Sequence, residues 1–207
     1  MLITNGTDIT FDKSGHVLPH VRGLIFDWDG TIINTMPMHY LAWRDIVRER
    51  GADFPEQLFY DLAGVPSDRI VEVLNETFGY QLDPQEIALT KEQLFVEKYL
   101  ARAELIEPVV ALARAHKGKM PMAVATGGIP TVLNKALALS GLTGFFDAVV
   151  TSHDVEHGKP APDTFLEAAR RIGVAPELCQ VFEDSEAGLE GARRAGMVAT
   201  DVRPWVK

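Results

Sequence analysis

Two pairs of acids, each ending an apolar run, have the types and spacing to do chemistry. In Asp27, Trp28, Asp29, Gly30, Thr31, an extended chain turns Asp27 and Asp29 to one side and Trp28 to the other, and Gly30 permits a sharp turn. Glu183 and Asp184 follow Gln180, Val181 and Phe182 in the same way. Taken singly, either pair reads equally well as a solvated turn or as a strand terminus, with Ser185 capping the helix that follows. Brought into one crevice, four carboxyl groups repel one another unless they share protons or hold a cation. That donor set suits Mg²⁺, a hard ion that takes few carboxylates and keeps several waters. Zinc is not suggested, because Cys179 is the single cysteine and His153 and His157 lack partners.

Two further segments complete the set. Thr126, Gly127, Gly128 offers a hydroxyl followed by pliant backbone amides ahead of a helix. Alone this is a weak pattern, but it can cradle a phosphate. Lys159 stands in a loop stiffened by Pro160 and Pro162, which suits an ammonium held at a site rather than left in solvent. A nucleophile, a hydroxyl, a cation and an acid pair together specify phosphoryl transfer. An aspartate, with an ordinary pKa of about 3.9, is ionised at neutral pH, so Asp27 needs no base to attack phosphorus. Mg²⁺ and Lys159 would relieve its repulsion from the phosphate dianion. Asp29 is spaced to protonate the leaving oxygen, and then to take a proton from the water that cleaves the aspartyl-phosphate.

The elements that must position these groups read as alternating strands and helices. Short apolar runs at 21–26, 120–126, 147–151, 179–183 and 198–202 are expected as strands. Helical spacing at 107–116, 131–140, 163–172 and 186–195 supplies the crossovers, the last three ending at Gly141, Gly173 and Gly196. Such alternation implies an α/β fold, a parallel sheet with helices on both faces and its ligand groups at the carboxyl ends of strands. Thr126 lies 99 positions after Asp27, too far for one crossover, and the excess is helical at 37–51, 55–62, 67–78 and 84–105. Pro37 sits at a first helical position, and Asp83 is an N-cap with Glu86 three residues on. Residues 36–105 are therefore expected to form an inserted all-helical cap, with 21–35 and 106–207 as the catalytic core. Residues 1–20 are an extension with no assigned function, in which 8–12 followed by a turn at 13–15 allows a hairpin and a loose tail fits equally well.

The 207 residues carry 20 Lys and Arg against 29 Asp and Glu, a formal charge of −9. With 46% apolar and 24% charged residues the chain is not a disordered one. The acidic balance argues against a nucleic-acid partner, which calls for clustered Lys and Arg. No apolar run approaches the roughly 20 residues of a membrane span, and residues 1–22 lack a signal-peptide pattern. The lone cysteine fits a reducing compartment, so a cytoplasmic protein is expected, with a small phosphorylated metabolite as its partner. A monomer is compatible with the sequence.

The motifs, in this order, resemble those of the haloacid dehalogenase-like (HAD) hydrolase superfamily over residues 21–203. Leu24, Ile25, Phe26, Asp27, Trp28, Asp29, Gly30, Thr31 looks like its first motif, Thr126 its second, Lys159 its third, and Glu183 with Asp184 its fourth. The resemblance implies a Rossmann-like core and aspartyl-phosphate chemistry. It also implies Mg²⁺ held by Asp27, the backbone carbonyl of Asp29, and Asp184, with Glu183 behind them or assisting through water.

Within that family the chain is similar to the β-phosphoglucomutase-like branch and its sugar-phosphate phosphatases. The likeness rests on Asn34 and Thr35 before the cap, His39 and Trp43 in its first helix, and the run Lys159, Pro160, Ala161, Pro162, Asp163. It makes Thr35 a hinge position, while His39 either bears on the proton of Asp29 or is an ordinary cap-helix histidine. Where a mutase grips a second phosphate with Lys and Arg, this chain has Ala63 and Ser67, with Arg69 two residues on as a partial substitute. Gly64, Pro66, Arg69 and Ile70 look more like phosphatases acting on fructose 1-phosphate or 6-phosphogluconate. The expectation is a Mg²⁺-dependent phosphatase of a small sugar phosphate, in which Thr126, Gly127, Lys159, His39 and Arg69 bind substrate. The alternative is a β-phosphoglucomutase. More remote are a receiver-like phospho-acceptor, which carries its Asp after a middle strand and has no cap, and a non-catalytic binding module.

Overall fold

A computed structural model of the chain describes residues 3–5, 8–10, 16–62 and 65–205. The chain divides into two compact units, Met1–Asn34 with Glu104–Lys207, and Thr35–Ala103. Among the described residues the strands run in chain order as β1 (Ile3–Asn5), β2 (Asp8–Thr10), β3 (Gly23–Phe26), β4 (Ile33–Asn34), β5 (Glu104–Leu105), β6 (Met122–Ala125), β7 (Ala148–Val150), β8 (Cys179–Glu183) and β9 (Val198–Asp201). The α-helices are α1 (Met36–Glu49), α2 (Glu56–Asp61), α3 (Ser67–Phe78), α4 (Pro84–Leu94), α5 (Glu107–His116), α6 (Pro130–Leu139), α7 (Asp163–Ile172) and α8 (Glu186–Arg194).

The first unit is a helix-flanked sheet of order β1-β2-β9-β8-β3-β6-β7, parallel throughout except for the β1–β2 pair. Every residue of β3, β6 and β8 is buried, as central strands of a sheet covered on both faces are, and in β8 these include the polar Gln180 and Glu183. On one face Ile25, Ala123, Ala125 and Val181 pack with Phe165, Ala168, Leu189 and Ala192 of α7 and α8. Phe26 points the other way, stacks on Phe182 at 4.9 Å and meets Phe146 at 6.0 Å.

Of the strand expected over 8–12, Asp8–Thr10 is observed and pairs with Ile3–Asn5 in a hairpin, while residues 11–15, with the turn expected at 13–15, lie outside the described residues. The second strand of the hairpin joins the sheet beside β9, a long-range pairing that local alternation does not reveal. The helix expected over 84–105 stops earlier. After α4 the chain winds as a π-helix over Phe95–Tyr99 and a 3₁₀ turn over Leu100–Arg102, and then Glu104–Leu105 pairs antiparallel with Ile33–Asn34. That extended pairing wins over helical propensity because it satisfies backbone groups where the chain leaves and re-enters the first unit.

In the second unit, Trp43, Ile46, Val47, Phe54, Phe59, Val71 and Leu74 form a separate core. Its helix starts lie close to those the sequence implies: α1 begins at Met36 with Pro37 second, one residue earlier than expected, and the Asp83 carboxylate accepts the Gln85 and Glu86 amides at 2.9 and 3.0 Å. Asp45 of α1 ties down the π-helical turn. Burial pushes its carboxyl up, but bonds from Lys98 (2.7 Å), Tyr99 and Arg44 outweigh this and hold it at about 2.

Candidate active site

Strands β8, β3 and β6 lie side by side, so their carboxyl ends bring the motif residues of three distant segments to one edge. The ladder continues one step past each strand and fixes the backbone of the reactive residues. Asp27 N donates to Phe182 O at 3.0 Å, Thr126 N to Val150 O at 3.0 Å, and Val202 N to Glu183 O at 3.0 Å.

Lys159 reaches in from the loop ahead of α7, where the Lys159–Pro160 peptide is cis. Its Nζ donates to Asp27 Oδ1 at 2.5 Å and to Glu183 Oε2 at 2.6 Å, with 12% of its side chain exposed. The other oxygen of Glu183, Oε1, accepts the amides of Asp184 (3.2 Å) and Ser185 (3.0 Å) and the Ser185 hydroxyl (2.8 Å). Glu183 is thus fully engaged in holding Lys159 and the turn into α8. Asp184 accepts a bond from Thr31 Oγ1 at 3.3 Å. The turn at Gly30 has φ +87°, and a Cβ there would lie 2.1 Å from Asp184 Oδ2, so only glycine lets the two acidic loops approach.

These charges do not balance. One ligand oxygen from each of Asp27, Glu183 and Asp184 falls within 4.8 Å of the others, against the single ammonium of Lys159. Burial, then Glu183, push the Asp27 carboxyl well above its ordinary value despite the pull of Lys159. Burial and Glu183 push Asp184 up in the same way. Burial alone would lower the Lys159 ammonium, but Asp27 and Glu183 outweigh it and raise it. An isolated aspartate is ionised at neutral pH; in the folded site burial and Glu183 oppose the charge of Asp27, and Lys159 supports it. A cluster of oxygen donors with surplus negative charge is chemically suited to a hard divalent cation.

Beside this cluster, Thr126 is buried and its Oγ1 accepts the Gly128 amide at 3.0 Å, which leaves the hydroxyl proton to donate onward. Ser152 holds the other side of that turn, with its N and Oγ donating to Gly128 O at 3.1 and 3.2 Å. A Cβ on Gly128 would sit 3.8 Å from Asp29 Oδ2, so the Asp29 carboxylate lies over this loop, whereas a Cβ on Gly127 would enter open space.

Each of the two cap residues singled out from the sequence has bonding partners within its own unit. His39 stacks on Phe95 with ring centroids 3.8 Å apart and accepts from Lys91 Nζ at Nδ1 at 2.9 Å. Arg69 is bonded to Glu72 on the surface of α3 and lies 3.7 Å from Glu76. Ser67 Oγ donates to Glu92 Oε1 at 3.3 Å. Ala63 and Gly64, on which the mutase comparison also leaned, lie outside the described residues. Sequence reasoning missed Lys91, which is 3% exposed, bonds Glu92 at 2.9 Å and lies over the rings of Trp43 and Phe95. In a run of mixed polar residues nothing marks it as buried.

It also missed Gly188, whose only signal was a glycine in the first turn of a helix. A Cβ there would lie 2.0 Å from Cδ and Oε2 of Glu183. Gly188→Ala is therefore expected to displace the carboxylate that holds Lys159 and to destabilise the fold by about 1–3 kcal/mol. Denaturant midpoints check this, and an unshifted midpoint would mean that α8 yields instead.

A family model for haloacid dehalogenase-like hydrolases matches residues 21–196. The fructose-1-phosphate phosphatase YqaB of Escherichia coli is 43% identical over 181 residues, covering 87% of this chain and 96% of its own. A phosphorylated carbohydrates phosphatase of Thermotoga maritima is 30% identical over 181 residues, covering 86% and 82%. Among solved structures, a putative β-phosphoglucomutase from Thermotoga maritima superposes with a TM-score of 0.71 at 26% identity, covering 87% of this chain and 85% of that one. With its motif residues gathered at one edge of a parallel sheet, the chain belongs to the haloacid dehalogenase-like hydrolases and is a phosphomonoesterase.

Proposed function

We propose that the chain hydrolyses the phosphate ester of a small sugar, of the fructose 1-phosphate or 6-phosphogluconate type, through a phosphorylated Asp27. The observation that carries this reading is Lys159 Nζ bridging Asp27 Oδ1 and Glu183 Oε2 at 2.5 and 2.6 Å in a cluster that also holds Asp184. A carboxylate so gripped presents one oxygen to an incoming phosphorus while its other oxygen stays anchored. Asp27 attacks, the ester P–O bond breaks, and Asp29 gives its proton to the departing sugar oxygen. Water then attacks the phosphorus of the aspartyl-phosphate, Asp29 takes its proton, and phosphate leaves Asp27 as a free carboxylate. The Thr126 hydroxyl and the Gly127 and Gly128 backbone are suited to bind the phosphoryl oxygens, with Lys159 offsetting their charge.

Asp27, Asp184 and the backbone carbonyl of Asp29 would hold Mg²⁺, which supplies positive charge against the repulsion between Asp27 and the substrate dianion. Unit Thr35–Ala103 would serve as the cap that selects the sugar, with His39 and Arg69 as its candidate contacts. It is entered and left through the adjacent strands β4 and β5, an arrangement suited to a hinge at Thr35. The names of the relatives in Escherichia coli and Thermotoga maritima support a phosphorylated carbohydrate as substrate. The likeness to a putative β-phosphoglucomutase keeps a mutase as the second reading.

Phosphate release across a panel of sugar phosphates, with and without Mg²⁺, separates the two. Free phosphate from fructose 1-phosphate or 6-phosphogluconate is expected. Conversion of β-glucose 1-phosphate, primed with glucose 1,6-bisphosphate, into glucose 6-phosphate without free phosphate would overturn hydrolysis.

A further inference from the structure

The two carboxylates around Lys159 leave one side of its ammonium facing an aromatic ring. Phe165, six residues on in the first turn of α7, is fully buried, and Lys159 Nζ lies over its ring, 5.0 Å from the centroid. A cation within about 6 Å of a ring face is attracted by the negative side of the ring's quadrupole, more strongly where water is excluded. The ring is itself wedged in place. A Cβ on Gly191 would lie 3.2 Å from Phe165 Cε2 and 3.1 Å from Ala161 O, so α8 presses close to the ring and to the loop that carries Lys159. Phe165 N donates to Pro162 O at 3.1 Å, which ties the start of α7 to the same loop.

We propose that the face of Phe165 is a positioning element for the reaction, holding the Lys159 ammonium between Asp27 and Glu183. This rests on the reading of Lys159 as the cation that offsets phosphoryl charge. The ring matters most when the two carboxylates are no longer equal partners. Once Asp27 is esterified by phosphate, its carboxyl no longer carries a full charge, and Lys159 keeps Glu183 as its one carboxylate anchor. An aromatic face does not titrate and does not react, so its attraction is the same before and after phosphoryl transfer. Its geometry also closes the rear of the ammonium to water, which keeps the charge aimed at Asp27 and the phosphoryl group.

The test replaces Phe165 site-specifically with 4-fluoro-, 3,5-difluoro- and 3,4,5-trifluorophenylalanine. These weaken the ring's negative face stepwise while changing its volume little. Turnover of fructose 1-phosphate, or of the best substrate of the panel above, is measured with saturating Mg²⁺ beside the melting temperature of each variant. A graded fall in kcat is expected, about tenfold in all from phenylalanine to the trifluoro ring, with the melting temperature held. The same series at Phe54, buried in the other unit, should leave kcat unchanged. A kcat flat to within twofold at position 165, or one that falls only in step with the melting temperature, overturns the proposal and makes the ring mere packing. Lys159→Met separates this from the underlying reading. If that variant turns over like the native chain, the assignment of Lys159 fails and the role of Phe165 with it. If it is inactive while the fluorinated series stays flat, only the inference about Phe165 falls.

Discussion

Asp27→Asn removes phosphate release while leaving the protein at least as stable as the native chain. The activity loss is expected to be at least ~10⁴-fold, on the order of 5.5 kcal/mol in the barrier. An amide keeps the shape of the carboxyl and can still accept from Lys159, but its oxygen does not attack phosphorus at a useful rate. The stability half follows from the charge imbalance. Asp27 lies among Glu183 and Asp184 with one ammonium among them, and burial pushes its carboxyl toward the neutral form. Replacing it by a neutral isostere relieves that repulsion in the metal-free protein. Phosphate release and thermal melting, measured on the same preparation, check both halves. Native-like turnover would remove Asp27 from the chemistry, and an inactive variant with a collapsed melting transition would make the residue structural instead.

Removal of divalent cations is the second large effect. A chelator should abolish hydrolysis, and Mg²⁺ should restore it. Binding to the folded state alone stabilises by about 2.7 kcal/mol at a hundredfold excess over Kd. For a chain of this size that is a rise in melting temperature of roughly 5–10 °C. Asp184→Asn should lose most of that rise, a readout that does not depend on activity.

The pH dependence of the metal-free protein supplies an independent check. Burial and Glu183 raise the folded-state pKa of Asp184, and burial and Glu183 likewise raise that of Asp27. A carboxyl with a raised folded pKa binds more protons folded than unfolded. Its contribution to stability is therefore full below the unfolded value of about 3.9 and is lost as pH rises toward neutrality. Melting temperature should fall over that range in chelator and fall much less in saturating Mg²⁺. Parallel pH profiles with and without the ion would mean that the cluster does not hold it.

Much of this was legible because local chemistry dictated it. The strand-ending acids Asp27 and Glu183, the N-cap at Asp83 and the proline in the first turn of α1 each answer to constraints within a few residues, and the structure keeps them. The π-helical turn at Phe95–Tyr99 was not legible, because it depends on Asp45 of another helix bonding Lys98 and Tyr99. Nor was the β4–β5 pair, whose two short strands lie about 70 positions apart and carry no periodic signal of their own.

For this protein the sequence by itself determined the alternation of strand and helix, the long helical insertion and the inventory of reactive groups. Those follow from hydrophobic period, turn chemistry and side-chain type, all of which are local. The tertiary structure alone decided that Glu183 spends both its oxygens on Lys159 and on the turn into α8, that Asp27 and Asp184 are crowded beside Glu183 around one ammonium, and that Phe165 backs that ammonium. Charge state and burial are properties of neighbours brought together across more than a hundred positions. No spacing along the chain encodes the dielectric in which a carboxylate will sit.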